Sequence, residues 1–252
     1  MKARAFLVVL SLPFLAQASA IYTTSAGATV SDGAVDASAT FALVNGNQLQ
    51  ITLTDNLANP KSVGQLISDL QFSISGVTGL SLSSMSSTGI TINGNHTPTT
   101  DGTVNSGWIE GVFGSGFLLC VICAPSFPKD AAPAELIIGP GPYTNANGSI
   151  AGNSPHNPFL YQTATFTLSG TGITSSTSVS NVVFSFGTQF GSDVTGTPGG
   201  GGVTLGAGPV PEPGSATLAA GAFGILALVL RRRHNRKDKQ PEEETLTTEG
   251  GN

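Results

Sequence analysis

The sequence predicts an all-β body: a single antiparallel β-sandwich, jelly-roll or Ig-like, held between two terminal segments of different character. Three observations point to it. Apolar residues alternate with polar or small ones at period two wherever the central chain shows a period. The alternating runs are short and are divided by Gly, Pro, Asn and Ser. No fixed-period repeat appears, which argues against a solenoid or propeller.

The elements follow in chain order. Ala39, Phe41 and Leu43 alternate with polar or small residues; after Asn45-Gly46-Asn47, Leu49, Ile51 and Leu53 alternate with Gln50, Thr52 and Thr54. Two period-two runs joined by a turn containing Asn-Gly are the strongest hairpin signal in the chain. Asn59-Pro60-Lys61-Ser62 precedes Val63, Leu66, Ile67 and Leu70 at helical spacing, which predicts one short helix over residues 63–69. Leu70, Phe72 and Ile74 return to strand spacing, as do residues 161–168 and Val182, Phe184 and Phe186. Residues 90–92, 108–112 and 136–138 are shorter strand candidates. Seven prolines from Pro125 to Pro158 interrupt the middle, so residues 124–158 read as a long ordered loop around one short strand. The body then spans residues 21–196. From Thr197-Pro198-Gly199 onward, residues 197–209 read as a flexible Gly/Pro linker.

Both ends carry addresses. Lys2 and Arg4 precede an almost unbroken apolar stretch at residues 6–15, and Ala18-Ser19-Ala20 offers the small residues that a signal peptidase reads. This predicts a secretory signal peptide over residues 1–20, cut after Ala20. Its apolar core is too short to serve as a spanning anchor. At the other end, the seventeen residues 214–230 are apolar and would make about 25 Å of helix at ~1.5 Å per residue. That is the short end of what crosses a hydrocarbon core of about 30 Å. Arg231, Arg232, Arg233, Arg236 and Lys237 crowd the far flank and keep it cytoplasmic. One transmembrane helix over 214–230 is expected, followed by a disordered cytoplasmic tail over 234–252 that carries Glu242-Glu243-Glu244.

Pro211-Glu212-Pro213, the apolar run and Arg231 to Arg233 resemble the PEP-CTERM sorting signal of Gram-negative bacteria, over about residues 209–233. The resemblance implies that an exosortase, a membrane-embedded cysteine-dependent enzyme, recognises the Pro-Glu-Pro motif and cleaves near it. It implies an exported chain, transiently membrane-anchored and finally at the cell surface or outside, in a class often tied to exopolysaccharide. Signal peptidase and exosortase would be its processing partners, and extracellular polysaccharide its final surroundings. The tail beyond Arg233 departs from the family, whose members usually end within a few residues of the basic cluster. Asn153 to Phe159, Ala164 to Leu168 and Asn181 to Thr188 more loosely resemble uncharacterised PEP-CTERM surface proteins, which assigns no activity.

Composition narrows the function of the body. The whole chain carries a net charge of −5. Residues 21–208 contain seven Asp, two Glu, two Lys and no Arg, a net −7, because the cations sit in the terminal addresses. Such a body has no footprint for nucleic acid or anionic phosphate chains. Ser and Thr make up 48 of these residues, about a quarter. That uncharged hydroxyl surface suits contact with polysaccharide or O-glycosylation, and equally plain solubility.

Few constellations carry chemistry. Cys120-Val121-Ile122-Cys123 is the sole cysteine pair. In an exported chain a disulfide within one loop is the first expectation; free or intermolecular thiols, a redox motif and a metal site remain alternatives. His96 and His156 lie among turn residues. Asn95-His96-Thr97 and Asn147-Gly148-Ser149 match the N-glycosylation triplet, a chance match in a bacterium. Asp32-Gly33, Asp36 and Asp101-Gly102 offer oxygen ligands without calcium-loop spacing. Glu110 and Glu135, the only glutamates of the body, have no evident carboxylate partner for glycoside hydrolysis, and Gly114-Ser115-Gly116 is no nucleophile elbow. No catalytic residue, cofactor or metal is expected, and the chain reads as no enzyme. The foremost functional expectation is a structural or adhesive surface protein. The alternative is a carbohydrate-binding module using Trp108, with Tyr143 and Tyr161, as flat platforms for sugar rings; a secreted hydrolase ranks below both.

Overall fold

The computed structural model describes residues 19–127, 134–199 and 203–206. Its strands, in chain order, are β1 (Ser19–Thr23), β2 (Thr29–Val30), β3 (Gly33–Ala34), β4 (Ala37–Val44), β5 (Gln48–Asp55), β6 (Ile67–Ile74), β7 (Thr78–Ile92), β8 (Pro98–Val104), β9 (Ile109–Phe113), β10 (Gly116–Cys120), β11 (Ile137–Ile138), β12 (Phe159–Thr171), β13 (Val179–Phe186), β14 (Asp193–Thr195) and β15 (Thr197–Pro198). Among the described residues the fold is all-β with almost no helix.

Alternation becomes pairing where the sequence is most regular. β4 and β5 form a hairpin in full register from Ala37↔Asp55 to Val44↔Gln48. Asn45 and Gly46 take φ of 51° and 76° between them. Positive φ at both central residues matches the right-handed twist of the strands, which is why Asn-Gly stands there. Ala39, Phe41, Leu49, Ile51 and Leu53 are fully buried on the inward face of this hairpin.

Thirteen strands join one branched sheet. β12 is flanked by β5, β4, β1 and β15 on one side and by β7 and β8 on the other, while β6 is flanked by β13 and β14 and by β10 and β9. β11 bridges the two arms, pairing antiparallel with β6 and parallel with β12. That parallel pair is a local departure from the antiparallel expectation. Side chains connect strands that share no ladder. Phe41 of β4 meets Phe72 of β6 at 5.2 Å, and the Tyr22 hydroxyl of β1 donates to the Val179 carbonyl of β13 at 2.6 Å. The arms therefore share one apolar core.

The helix expected over residues 63–69 is corrected. Only Val63–Gln65 coils, as a 3-10 turn, and Ile67 already opens β6. Ser62 caps the turn by accepting from the Gly64 N–H, while the Gln65 side chain accepts from the Lys61 and Ser62 N–H groups at 2.7 and 3.1 Å. The helical spacing misleads because Ile67, Ser68, Asp69 and Leu70 are all buried, on both faces of one strand. Apolar residues then lose the period that separates strand from helix.

Two further boundaries move. β15, inside the expected linker, pairs with β1 through Tyr22↔Pro198 and Thr23↔Thr197. The Val179 N–H donates to Val203 and the Leu205 N–H to Thr177, and Leu205 is buried. The packed body thus extends past residue 196. β7 extends far beyond residues 90–92, and β8 and β10 lie where the sequence offers no strand candidate. Between residues 124 and 158 the described residues hold one short strand, β11, with cis peptide bonds at Gly141-Pro142 and Asn157-Pro158.

Candidate functional site

A groove of about 490 Å³ opens between β7, β8, the start of β12 and the loop at Gly141-Pro142-Tyr143. Ile90, Pro98, Thr100, Pro142, Tyr143 and Tyr161 line it, with no charged residue among them. Tyr161 is 39% exposed, an unusual state for a large ring here. A bulge makes it so: Gln162 sits at φ 58°, and the β12–β7 register shifts between Leu160 and Ala164. A bulge adds a residue to one strand and re-aims the side chains beside it.

The loop wall of the groove is pinned from beneath. The fully buried Asp55 carboxylate accepts the Leu57 N–H at 2.9 Å and the Gly139 N–H. Gly139 leaves no room for a side chain, since a Cβ would lie 2.0 Å from the Leu57 carbonyl oxygen. Tyr143 donates its hydroxyl to the Gly139 carbonyl at 3.0 Å, and the His96 Nδ1 lies 3.0 Å from the Tyr143 carbonyl. The Asn59 N–H donates to the Pro140 carbonyl, and the Asn59 side chain bonds Thr144 and Asn145. Burial pushes the Asp55 carboxyl and the Tyr143 phenol well above their ordinary pKa values. The wall is preformed, a condition that lowers the ordering cost of binding.

Trp108, the candidate glycan contact of the carbohydrate-binding alternative, is not part of this groove. It is 4% exposed, its Nε1 donates to the Glu135 carbonyl at 2.9 Å, and its ring packs on Phe166 at 5.1 Å. Its faces are covered by protein, so it cannot stack a sugar. Tyr143 is 1% exposed and serves the loop. Tyr161 alone of the three aromatic candidates faces solvent.

Cys120 and Cys123 are joined by a disulfide with an S–S distance of 1.98 Å. With Leu118 and Ala124 they form a small second apolar cluster, against which Ile109, Phe127 and Phe190 pack. The register sets Ile109, Cys120, Asp69, Ser185 and Asp193 in one row across β9, β10, β6, β13 and β14. Asp69 is fully buried, and neither carboxylate oxygen accepts a hydrogen bond from the described residues. Ser185 gives its hydroxyl hydrogen to Asp193 instead. Burial first, and then the Asp193 charge, raise Asp69 from 3.8 to about 8. Sequence reasoning missed Asp69 because nothing local marks a strand aspartate as buried.

The other candidates disperse. His156 is bound by its Nδ1 to the Ser149 carbonyl, 2.8 Å away, in a turn. Asp32 accepts the Ser62 hydroxyl, and Asp101 accepts that of Thr91 at 2.7 Å. Glu135 lies with its carboxylate against Gly107 and its carbonyl accepting from the Trp108 Nε1. Ala20 is fully buried in β1. Ala18, Pro211, Glu212, Pro213, Arg231, Arg232, Arg233, the expected span 214–230 and the tail 234–252 lie outside the described residues. Among the described residues no helix is long and apolar enough to cross a membrane.

The model of the PEP-CTERM protein-sorting motif matches residues 209–233. This chain carries a PEP-CTERM sorting motif. The match takes in Pro211-Glu212-Pro213, the apolar run and Arg231 to Arg233, the residues that carry the resemblance in the sequence. The sorting motif supports an exported protein processed by an exosortase. No curated protein and no solved structure matches the chain.

Proposed function

We propose that this exported exosortase substrate is a structural or adhesive component of the cell surface or extracellular matrix, with a β-sandwich body and no catalysis of its own. Signal peptidase removes the leader, the helix over 214–230 anchors the chain transiently, and the exosortase releases it at Pro211-Glu212-Pro213 into surroundings rich in exopolysaccharide. The observation that carries this reading is the sorting motif at 209–233 attached to a hydroxyl-rich β body that has no Arg. Mass spectrometry of the mature C-terminus, in hosts with and without the exosortase, tests it. Truncation near Glu212 only in the competent host is expected; a mature chain ending at Asn252 there refutes it.

A second reading, a carbohydrate-binding module, is favoured by one observation: the exposed Tyr161 ring beside an uncharged, preformed groove. Aromatic rings present the apolar face that sugar rings stack on, and the neutral lining suits an uncharged glycan. Pull-down on neutral polysaccharide should retain the protein and lose the Tyr161→Ala variant at unchanged Tm. Equal retention of both removes Tyr161 from any glycan site.

A further inference from the structure

We infer that the leader is cut after Ala18, two residues before the junction expected from Ala18-Ser19-Ala20, so that the exported chain begins at Ser19. The inference rests on the reading of the N-terminus as a signal peptide. Two overlapping small-x-small triplets stand there, Ala16-Gln17-Ala18 and Ala18-Ser19-Ala20, and both satisfy a signal peptidase equally. The fold distinguishes them.

β1 begins at Ser19, and its register with β4 pairs Ser19 with Ala42 and Ala20 with Phe41. Cutting after Ala20 deletes both pairs from a strand of five residues. It also empties the position of Ala20, which is 0% exposed. The new α-ammonium would fall on Ile21, which is half-buried like Ser19, so the terminal charge itself does not separate the two cuts. The lost pairs and the vacated Ala20 position do. Cutting after Ala18 keeps every β1–β4 pair of the described residues and the buried Ala20. β1 also closes the sheet against β15 through Tyr22 and Thr23, so its anchoring matters at both edges.

The full chain, expressed in an exporting host and analysed by peptide mass spectrometry, should yield an N-terminal peptide starting at Ser19. A peptide starting at Ile21 overturns the inference and leaves the leader reading intact; a retained Met1 overturns the leader reading as well. As a second measurement, two forms are exported behind one unrelated leader, starting at Ser19 and at Ile21. The Ile21 form should melt lower by at least about 2–4 °C, the shift that the loss of a single modest interaction produces in a domain of this size. Equal melting temperatures refute the structural ground for the choice.

Discussion

Replacing Asp69 by Asn should remove much of the pH dependence of this domain's stability. In the unfolded chain Asp69 ionises near 3.8, whereas burial and the neighbouring Asp193 carry it to about 8 in the fold. Between those values the native state holds a proton that the unfolded chain has lost. Stability contributed by this group is therefore fully present in acid and falls as pH rises from about 4 to about 8, by about 1.4 kcal/mol per unit. The interval sets a ceiling of about 6 kcal/mol for the loss. Asn has nearly the shape of Asp and cannot ionise, so the variant escapes that loss while still occupying the site beside Ser185 and Cys120. Asp69→Asn should match the wild type within about 1 kcal/mol near pH 4, where both side chains are neutral in the fold. It should be the more stable protein at pH 8. Urea unfolding of the mature protein at a series of pH values measures this, with the fluorescence of Trp108, the single tryptophan, as the probe. Asp55 is shifted in the same direction, so the variant retains a shallower slope of the same sign. A variant whose stability follows the wild-type slope between pH 4 and 8 would show that Asp69 is ionised in the fold, and the reasoning would fail.

Gly107→Ala should destabilise by about 1–3 kcal/mol or more, since Gly107 holds φ of 106° and a Cβ would lie 1.2 Å from the Glu135 Oε2; the Tm measures it, and an unchanged value sinks the account. Trp108→Ala should cost about 3–5 kcal/mol by emptying core space against Phe166, read in chemical denaturation followed by circular dichroism. The double variant Cys120→Ser, Cys123→Ser should cost only about 2 kcal/mol, because the bridge closes a sequence separation of 3. A loss beyond about 4 kcal/mol would mean that the bridge also holds the small cluster over Asp69 together.

The residues that were legible in the sequence are those whose signal is local. The β4–β5 hairpin needs only its own alternation and Asn45-Gly46, and it lies where the pattern says. β7 was legible only at its end, because Ser81 to Ser87 supply almost no apolar contrast and the strand is held by pairing with β12, some eighty residues away in the chain. β15 looked like linker because glycine and proline carry no alternation; an edge strand needs backbone groups alone, and Gly199 still donates to Ile21. The aromatic candidates separate for the same reason. Whether Trp108 or Tyr161 meets solvent is set by the Glu135 carbonyl and by a bulge at Gln162, neither of which leaves a mark around the ring concerned.

Composition explains the most unusual electrostatics of the body. A buried carboxylate is ordinarily retained by pairing it with a cation or by saturating it with hydrogen bonds. Residues 21–208 contain no Arg and only Lys61 and Lys129, so pairing is closed to most of the seven Asp. Asp55 takes the second course only in part, with the Leu57 and Gly139 N–H groups, since its Oδ2 has no hydrogen-bond partner among the described residues and burial still raises its pKa. Asp69 has neither, and a proton is what remains to it. The scarcity of cations that gives the surface its neutral hydroxyl character thus forces neutrality inside as well. A lysine or arginine introduced within reach of Asp69 should accordingly pull its pKa down and restore stability at pH 8, where a substitution of the same length without charge should not.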